Sequence, residues 1–115
     1  MKLYNRAEFL KLPKGTIYAK GEEWAFDSLA VKGESLKNDW WYFDPSGIEV
    51  NDSGEMIDRF ENMKRIGTSY PMDDCFYRDG MFEENDLFMV FELDDLVRLK
   101  GFVEVAIQLM EKGGD

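Results

Sequence analysis

The segment DLFMVFEL, residues 86–93, constrains the fold more than any other part of the chain. Its apolar side chains fall on both sides of an extended backbone: Leu87, Met89, Phe91 and Leu93 opposite Phe88 and Val90. So short an apolar run suits a strand, and apolar residues on both sides are typical of a strand inside a sheet. The segment therefore predicts a central strand that is buried on both faces.

Earlier segments supply neighbours for this strand. Residues 15–20, 23–33 and 39–44 are rich in aromatic and β-branched residues that alternate with polar ones, and turn residues separate them. A β-bulge is expected at Asp27 and Ser28, and Ile48 and Val50 mark a further short strand. The pattern predicts three or four antiparallel strands between residues 15 and 50.

Three helices are predicted around these strands. Asn5 and Glu8 have the spacing of a capping box and open a short helix that Pro13 and Gly15 end. Asp52 and Glu55 repeat that spacing before a helix to about residue 66. A third helix runs from about residue 95 to 112, and its apolar residues recur at helical spacing: Leu96, Leu99, Val103, Ala106, Ile107 and Met110.

These elements predict an α+β fold in one domain, residues 1–115, since a chain of this length suits a single domain. We expect a small twisted antiparallel sheet or a partly open SH3-like barrel. A short N-terminal helix and a packed C-terminal helix complete the prediction.

The residue types present disfavour several classes of function. The chain has no histidine and one cysteine, Cys75, which excludes Ser-His-Asp and Cys-His catalysis and a structural zinc site. We predict a protein that is not an enzyme, with no cofactor, no metal and no catalytic residue. The chain also has no apolar run long enough to span a membrane and no recognisable signal peptide, so we expect a cytoplasmic protein.

Negative charge is concentrated in the middle of the chain. Residues 38–95 hold four basic and sixteen acidic residues, a balance of −12, while the whole chain has a net charge of −10. Such a surface repels nucleic acid and anionic membrane and attracts a basic protein surface. We therefore predict a non-enzymatic acidic binding protein whose partner is a basic or nucleic-acid-handling protein. A merely solubilising acidic surface is the competing interpretation.

The predicted partner-binding residues are acids and aromatics from the acidic region. The acidic members are Asp73, Asp74, Asp79, Glu83, Glu84 and Asp86, and the aromatic members are Trp41, Tyr77 and Phe82. Tryptophan and tyrosine are enriched in protein interfaces, which is why aromatics join the set.

Two alternatives remain open. In the first, an aromatic pocket binds a small ligand or nucleotide, with rings to stack a base and lysines to meet phosphates: Tyr18, Trp24, Trp40, Tyr42, Lys20, Lys32 and Lys37. In the second, the protein is a homo-oligomeric structural accessory domain whose apolar strand or C-terminal helix is buried by its own copy.

Three stretches carry a resemblance to a group of known proteins. They are NRAEFLKLPKGTIYAKG, DWWYFDPSGIEV and YPMDDCFYRDGMFEENDLFMVFELDDL, which lie between residues 5 and 96 and hold about half of the chain's residues. In these stretches the chain resembles small accessory proteins of tailed bacteriophages and prophages, a group without an established activity. The resemblance implies a location in the host cytoplasm and an accessory role, such as inhibition of a host defence enzyme. It implies no catalytic residue.

Overall fold

The protein is described by a computed structural model that covers residues 1–22, 25–79 and 85–113. In chain order the elements of these residues are β1 (Lys2–Asn5), α1 (Arg6–Phe9), β2 (Ile17–Glu22), β3 (Ala25–Ser35), β4 (Trp40–Phe43), α2 (Ser53–Ile66), β5 (Tyr77–Asp79), β6 (Leu87–Val90) and α3 (Leu93–Glu111).

The six strands form one antiparallel sheet in the order β1-β6-β2-β3-β4-β5. Within the described residues β1 and β5 have no second strand partner, so the sheet is open and does not close into a barrel. The predicted α+β class is confirmed, and of its two forms the structure has the open sheet.

The late strand β6 lies between β1 and β2, which confirms that it is an inner strand. Its two faces differ, however: Phe88 and Val90 are buried, whereas Leu87 and Met89 are only partly covered. The prediction that both faces are buried is therefore wrong. The reason is that α1 covers one face of the sheet, and Leu87 and Met89 lie on the other.

The predicted bulge is present between β2 and β3. Ala19 pairs with Leu29 and Gly21 with Phe26, so Asp27 and Ser28 both lie opposite a single residue of β2. Two strands were not predicted, β1 and β5, and both are short edge strands. Ile48, in the predicted extra strand, forms only an isolated bridge with Met72.

The core is a cluster of aromatic rings between α1 and the sheet. Its buried members are Phe9, Tyr18, Trp40, Phe88 and Val90. Phe9 stacks on Phe88 with ring centroids 4.0 Å apart and meets Tyr18 and Trp40 edge-on. As predicted, the Asn5 side chain caps α1, accepting a hydrogen bond from the Glu8 backbone nitrogen at 2.9 Å. This cap holds Phe9 over the sheet.

The two long helices form where the sequence predicts them. Asp52 caps α2 by accepting from the Glu55 backbone nitrogen, and a capping box formed by Glu92 and Asp95 opens α3. Among the described residues, however, none in either helix is buried. The prediction of a packed C-terminal helix is therefore wrong. The core face of the sheet is covered by α1, and no described residue of α3 becomes buried against the rest of the chain.

Among the described residues, no helix has both the length and the apolar character that a membrane span requires.

Candidate functional site

Two of the predicted partner-binding acids lie inside the molecule. The Asp86 side chain is 3% exposed, and its Oδ2 lies 3.4 Å from Arg6 Nη1 and 3.4 Å from Lys20 Nζ. The same Lys20 Nζ lies 3.2 Å from Oδ2 of Asp79, whose side chain is also largely covered. Asp79 and Asp86 are therefore removed from the predicted acidic surface, because their charges are compensated internally.

The ionic network is built around Trp40. Arg6 donates from Nε and Nη2 to the Asn38 carbonyl oxygen at 3.1 and 2.6 Å, which fixes its guanidinium group. The cations of Arg6 and Lys20 lie 5.0 and 5.6 Å from the Trp40 ring. Charges of alternating sign thus surround one buried indole, and each cation gains both a carboxylate and a ring face.

Asp73 is another predicted surface acid that is largely buried. One oxygen accepts from the Cys75 backbone nitrogen at 2.8 Å, and the other accepts from the Tyr77 hydroxyl at 2.6 Å. These bonds stabilise the carboxylate, so they hold the pKa of Asp73 below its usual value. The same contact raises the pKa of Tyr77 to about 12. Asp73 therefore organises the turn before β5.

Asp73, Asp74 and Cys75 are close enough together for their ligand atoms to meet one metal ion. Both Asp73 oxygens already accept hydrogen bonds within the turn. Loss of contact with water and the nearby carboxylates raise the pKa of the Cys75 thiol. The thiolate that a metal requires is therefore disfavoured. This group is best interpreted as a turn with an exposed acid, Asp74.

The remaining predicted partner-binding residues divide into two sets. Trp41 and Tyr77 are exposed, as predicted. Phe82, Glu83 and Glu84 lie outside the described residues, as does Trp24 of the predicted ligand pocket. In the described part of the chain, the predicted surface therefore keeps Asp74, Trp41 and Tyr77.

Trp41 borders an apolar cleft on the face of the sheet opposite the core. The cleft has a volume of about 550 Å³, and Val31, Gly33 and Phe76 line it together with Trp41. Phe76 lies directly over Gly33, where a β-carbon would come within 2.9 Å of its ring. An exposed charge pair, Lys14 and Glu34, stands at the rim.

Part of the predicted ligand pocket is present on the core side of the sheet. A cavity of about 400 Å³ is lined by Tyr18, Lys20 and Tyr42, and also by three carboxylates that the prediction missed: Asp27, Asp44 and Asp79. Asp27 lies in the bulge, Asp44 follows β4 and Asp79 ends β5, so no local sequence pattern indicates that they meet. The carboxylates make the cavity unsuitable for phosphate groups.

Three residues of the predicted pocket lie away from this cavity lining. Trp40 is buried beneath it and donates from Nε1 to the Tyr18 hydroxyl at 2.8 Å. Burial raises the pKa of Tyr18. Lys32 is 1% exposed and donates to Ser35 Oγ and to the Gly33 carbonyl oxygen, and burial lowers its pKa. Lys37 is exposed in the turn after β3. These two lysines do not form a joint phosphate site.

Among the described elements, α3 has the most exposed large apolar residues. Phe102 and Met110 are 77% and 73% exposed, and the other exposed large apolar residues of the helix are Leu93, Val97, Val103, Val105, Ile107 and Leu109. Several of them lie outside the predicted apolar stripe. The sequence signal was that apolar residues surround the second half of the helix, a pattern typical of a helix covered by a partner.

The surface of the whole molecule agrees with this observation. Its accessible area is 8560 Å², whereas a folded monomer of its mass, 13.4 kDa, is expected to expose about 6500 Å². The radius of gyration is 16.6 Å, against about 13 Å for a compact domain of this length. The excess area of roughly 2000 Å² exceeds the ~800 Å² that each partner contributes to a standard interface.

Comparison with protein-family models, with characterised proteins and with solved structures gives no match. The resemblance to phage and prophage accessory proteins therefore stays a prediction.

Proposed function

We propose that the protein is a non-enzymatic binding module that works as a homo-oligomer, with α3 as its self-association element. The observation that carries the proposal is the exposure of eight large apolar side chains on α3. Water-exposed apolar patches of this kind mark interaction sites. The excess surface of the molecule is larger than the ~800 Å² that one partner contributes to a standard dimer interface, so it is sufficient for binding of a second copy.

A membrane surface is a less suitable occupant for the same helix. Its first turn is acidic, with Asp94 and Asp95, and the whole chain carries a net charge of −10. Anionic lipid headgroups repel such a protein, whereas helices that lie on membranes are rich in lysine and arginine on their polar face. The exposed residues in the second half of α3 are mostly apolar, so a second copy of the helix can cover them by apolar contact.

The predicted basic partner belongs to the same proposal. Exposed acids remain on α2 and beside β5, among them Asp58, Glu61 and Asp74. A dimer displays each of them twice, and two linked sites bind a multivalent target more strongly than one. If the phage resemblance holds, the partner is a basic host protein. Retention of that partner on immobilised protein at low salt and release at high salt is the expected behaviour.

The proposal is tested by sedimentation velocity over a range of protein concentrations. The wild type is expected to sediment as a dimer at micromolar concentration. Phe102→Ser combined with Met110→Ser is expected to be monomeric, because both side chains are solvent-exposed on α3 and do not support the sheet. The matched control is Ile57→Ser combined with Ile66→Ser on α2, where the residues are similarly exposed.

Dimerisation of this control is expected to equal that of the wild type. A monomeric wild type at all concentrations would overturn the proposal. If the α2 variant dissociates and the α3 variant does not, self-association depends on α2, and the assignment to α3 is wrong.

A second candidate function rests on the cavity beside β2. Tyr18, Lys20 and Tyr42 of the predicted ligand pocket do come together there. With Asp27, Asp44 and Asp79 also present, a small cationic or neutral polar ligand suits the cavity better than a nucleotide. Thermal-shift measurements should then show stabilisation by amines such as spermidine and none by ATP, and Asp44→Asn should reduce the shift.

A further inference from the structure

We propose that α3 pairs with α3 of a second copy in parallel and in register, so that the two sheets lie at the same end of the paired helices. This inference rests on the proposed function, because it assigns an orientation to the self-association argued above. Three features of α3 support it: the spacing of its apolar residues, the residues beside them, and the contacts that those residues already make.

The apolar spacing is that of a coiled-coil seam. Along α3, intervals of three and four residues alternate between successive apolar positions: Leu96, Leu99, Val103, Ala106 and Met110. Such a repeat places all five on one face of the helix. Val103, Ala106 and Met110 are exposed there, and Leu96 and Leu99 are half-buried. The helix is about 28 Å long, so this short seam is completed within a single element.

The residues beside the seam distinguish the two orientations. Each heptad of the seam has two core positions, and Leu96 and Val103 are the first ones. In a parallel pair, the residue before each of these faces the residue five places later in the second helix. That rule places Asp95 against Lys100 of the second copy, an attraction between opposite charges. One heptad later it places Phe102 against Ile107 of the second copy, an apolar contact. Twofold symmetry repeats both contacts.

An antiparallel pair centred on Val103 lacks this complementarity. Flanking positions of the same kind then face each other, so Lys100 lies beside Ile107 of the second copy. The lysine would cover an apolar side chain without meeting a carboxylate, and Asp95 would meet no lysine. The flanking residues therefore favour the parallel arrangement.

Existing contacts use one oxygen of Asp95, whose side chain is 20% exposed, and leave Lys100 mostly exposed. Asp95 Oδ2 accepts a hydrogen bond from the Glu92 backbone nitrogen at 2.9 Å. The same oxygen forms an ion pair with the Met1 amino group at 2.7 Å. Lys100 lies 3.5 Å from Glu104 on its own helix, with both side chains mostly exposed. Exposed pairs of this kind are weak, so Lys100 can exchange Glu104 for a carboxylate across the interface.

Disulfide trapping tests the orientation. In a Cys75→Ser background, Ala106→Cys is expected to form a disulfide between two copies on mild oxidation, because a parallel seam places both residues 106 side by side. The antiparallel reporter is an equimolar mixture of Leu96→Cys and Met110→Cys chains. A disulfide between the two kinds of chain would overturn the parallel arrangement.

Charge reversal provides an independent measurement. Lys100→Glu is expected to raise the dimer dissociation constant about tenfold, because each of two symmetric contacts then joins like charges. The matched control is Arg98→Glu, the same change in charge on the side of α3 away from the seam, with an expected change of less than twofold. Equal effects of the two variants would contradict the proposed pairing.

The two proposals fail in different ways. Sedimentation of the Cys75→Ser background under reducing conditions measures self-association without any trapping. A dimer that yields the mixed 96–110 disulfide overturns only the orientation. If the Cys75→Ser protein and the wild type are both monomeric, self-association through α3 is wrong. The parallel arrangement is then wrong as well.

Discussion

Asp86 is a buried carboxylate that two cations of the ionic network share. It contacts both Arg6 and Lys20 while its own side chain is almost wholly covered. A buried ion pair contributes little compared with apolar packing, but removal of one partner leaves the other charge without compensation. The residue is therefore more important for stability than a surface acid of the same type.

We predict that Asp86→Asn lowers the free energy of unfolding by about 3 kcal/mol, since the variant removes a buried negative charge that both Arg6 and Lys20 contact. Urea denaturation followed by tryptophan fluorescence measures the change. Asp74→Asn is the control, because Asp74 is exposed. Equal stability of the two variants would show that the network does not depend on Asp86.

Sequence reasoning placed Asp79 and Asp86 on the surface because acids are rarely buried without a partner. Their partners are far away in the chain: Arg6 lies before β2, and Lys20 is on β2. No local pattern indicates such pairs. Lys32 was similarly expected to meet a ligand, although alternation along β3 places it on the same face as Ala30, which packs on the core. Burial of a lysine without a carboxylate partner is too rare to be expected from sequence.

At the scale of elements, β3 and β4 pack closely because residue 33 lacks a side chain. A β-carbon there would lie 2.9 Å from the Phe76 ring and 3.0 Å from Trp41 Cβ. Phe76 can therefore cross the open face of the sheet in contact with its backbone. This contact fixes the segment that leads into the short edge strand β5.

We predict that Gly33→Ala lowers the free energy of unfolding by about 1–3 kcal/mol, the usual cost of overpacking. Chemical denaturation provides the measurement. The control is Gly47→Ala, since a β-carbon at Gly47 would meet no atom within 4 Å. If Gly33→Ala were as stable as the control, Phe76 would not pack on β3 as described.

Elements with strong local signals were predicted well. The caps at Asn5 and Asp52, the bulge at Asp27 and the helix of the last 20 residues all depend on neighbouring residues in the chain. β1 and β5 were missed because they are three or four residues long and are extended only through pairing with distant strands. Burial of α3 was predicted from its apolar stripe, but periodicity does not tell whether its cover comes from the same chain or another.

At the scale of the whole molecule, stability is distributed unevenly. The sheet and α1 enclose the buried core, whereas no described residue of α2 or α3 is buried. Segments with few buried apolar contacts open at low free energy, while core strands open only with global unfolding. The molecule thus combines a stable sheet with two helices that lack buried residues. We expect α2 to stay exposed and α3 to be covered by a second copy.

We predict that amide hydrogen exchange separates the three parts. Amides of β2 and β6 should exchange slowly at every protein concentration, and those of α2 quickly. Protection of α3 should increase with concentration, because the second copy covers it only in the dimer. Exchange measured by mass spectrometry at low and high micromolar concentration provides the comparison. Protection of α2 equal to that of β6 would contradict this distribution.

The position of β6 between β1 and β2 has a consequence for synthesis on the ribosome. The first two strands of the chain do not pair with each other, and the gap between them is filled only by residues 87–90. Phe9 likewise lacks its stacking partner until Phe88 has been made. A nascent chain must therefore hold β1 and the first core ring unpaired until residues 87–90 have emerged. Pairing of β1 and closure of the aromatic core thus wait for a strand made more than 75 residues after Phe9.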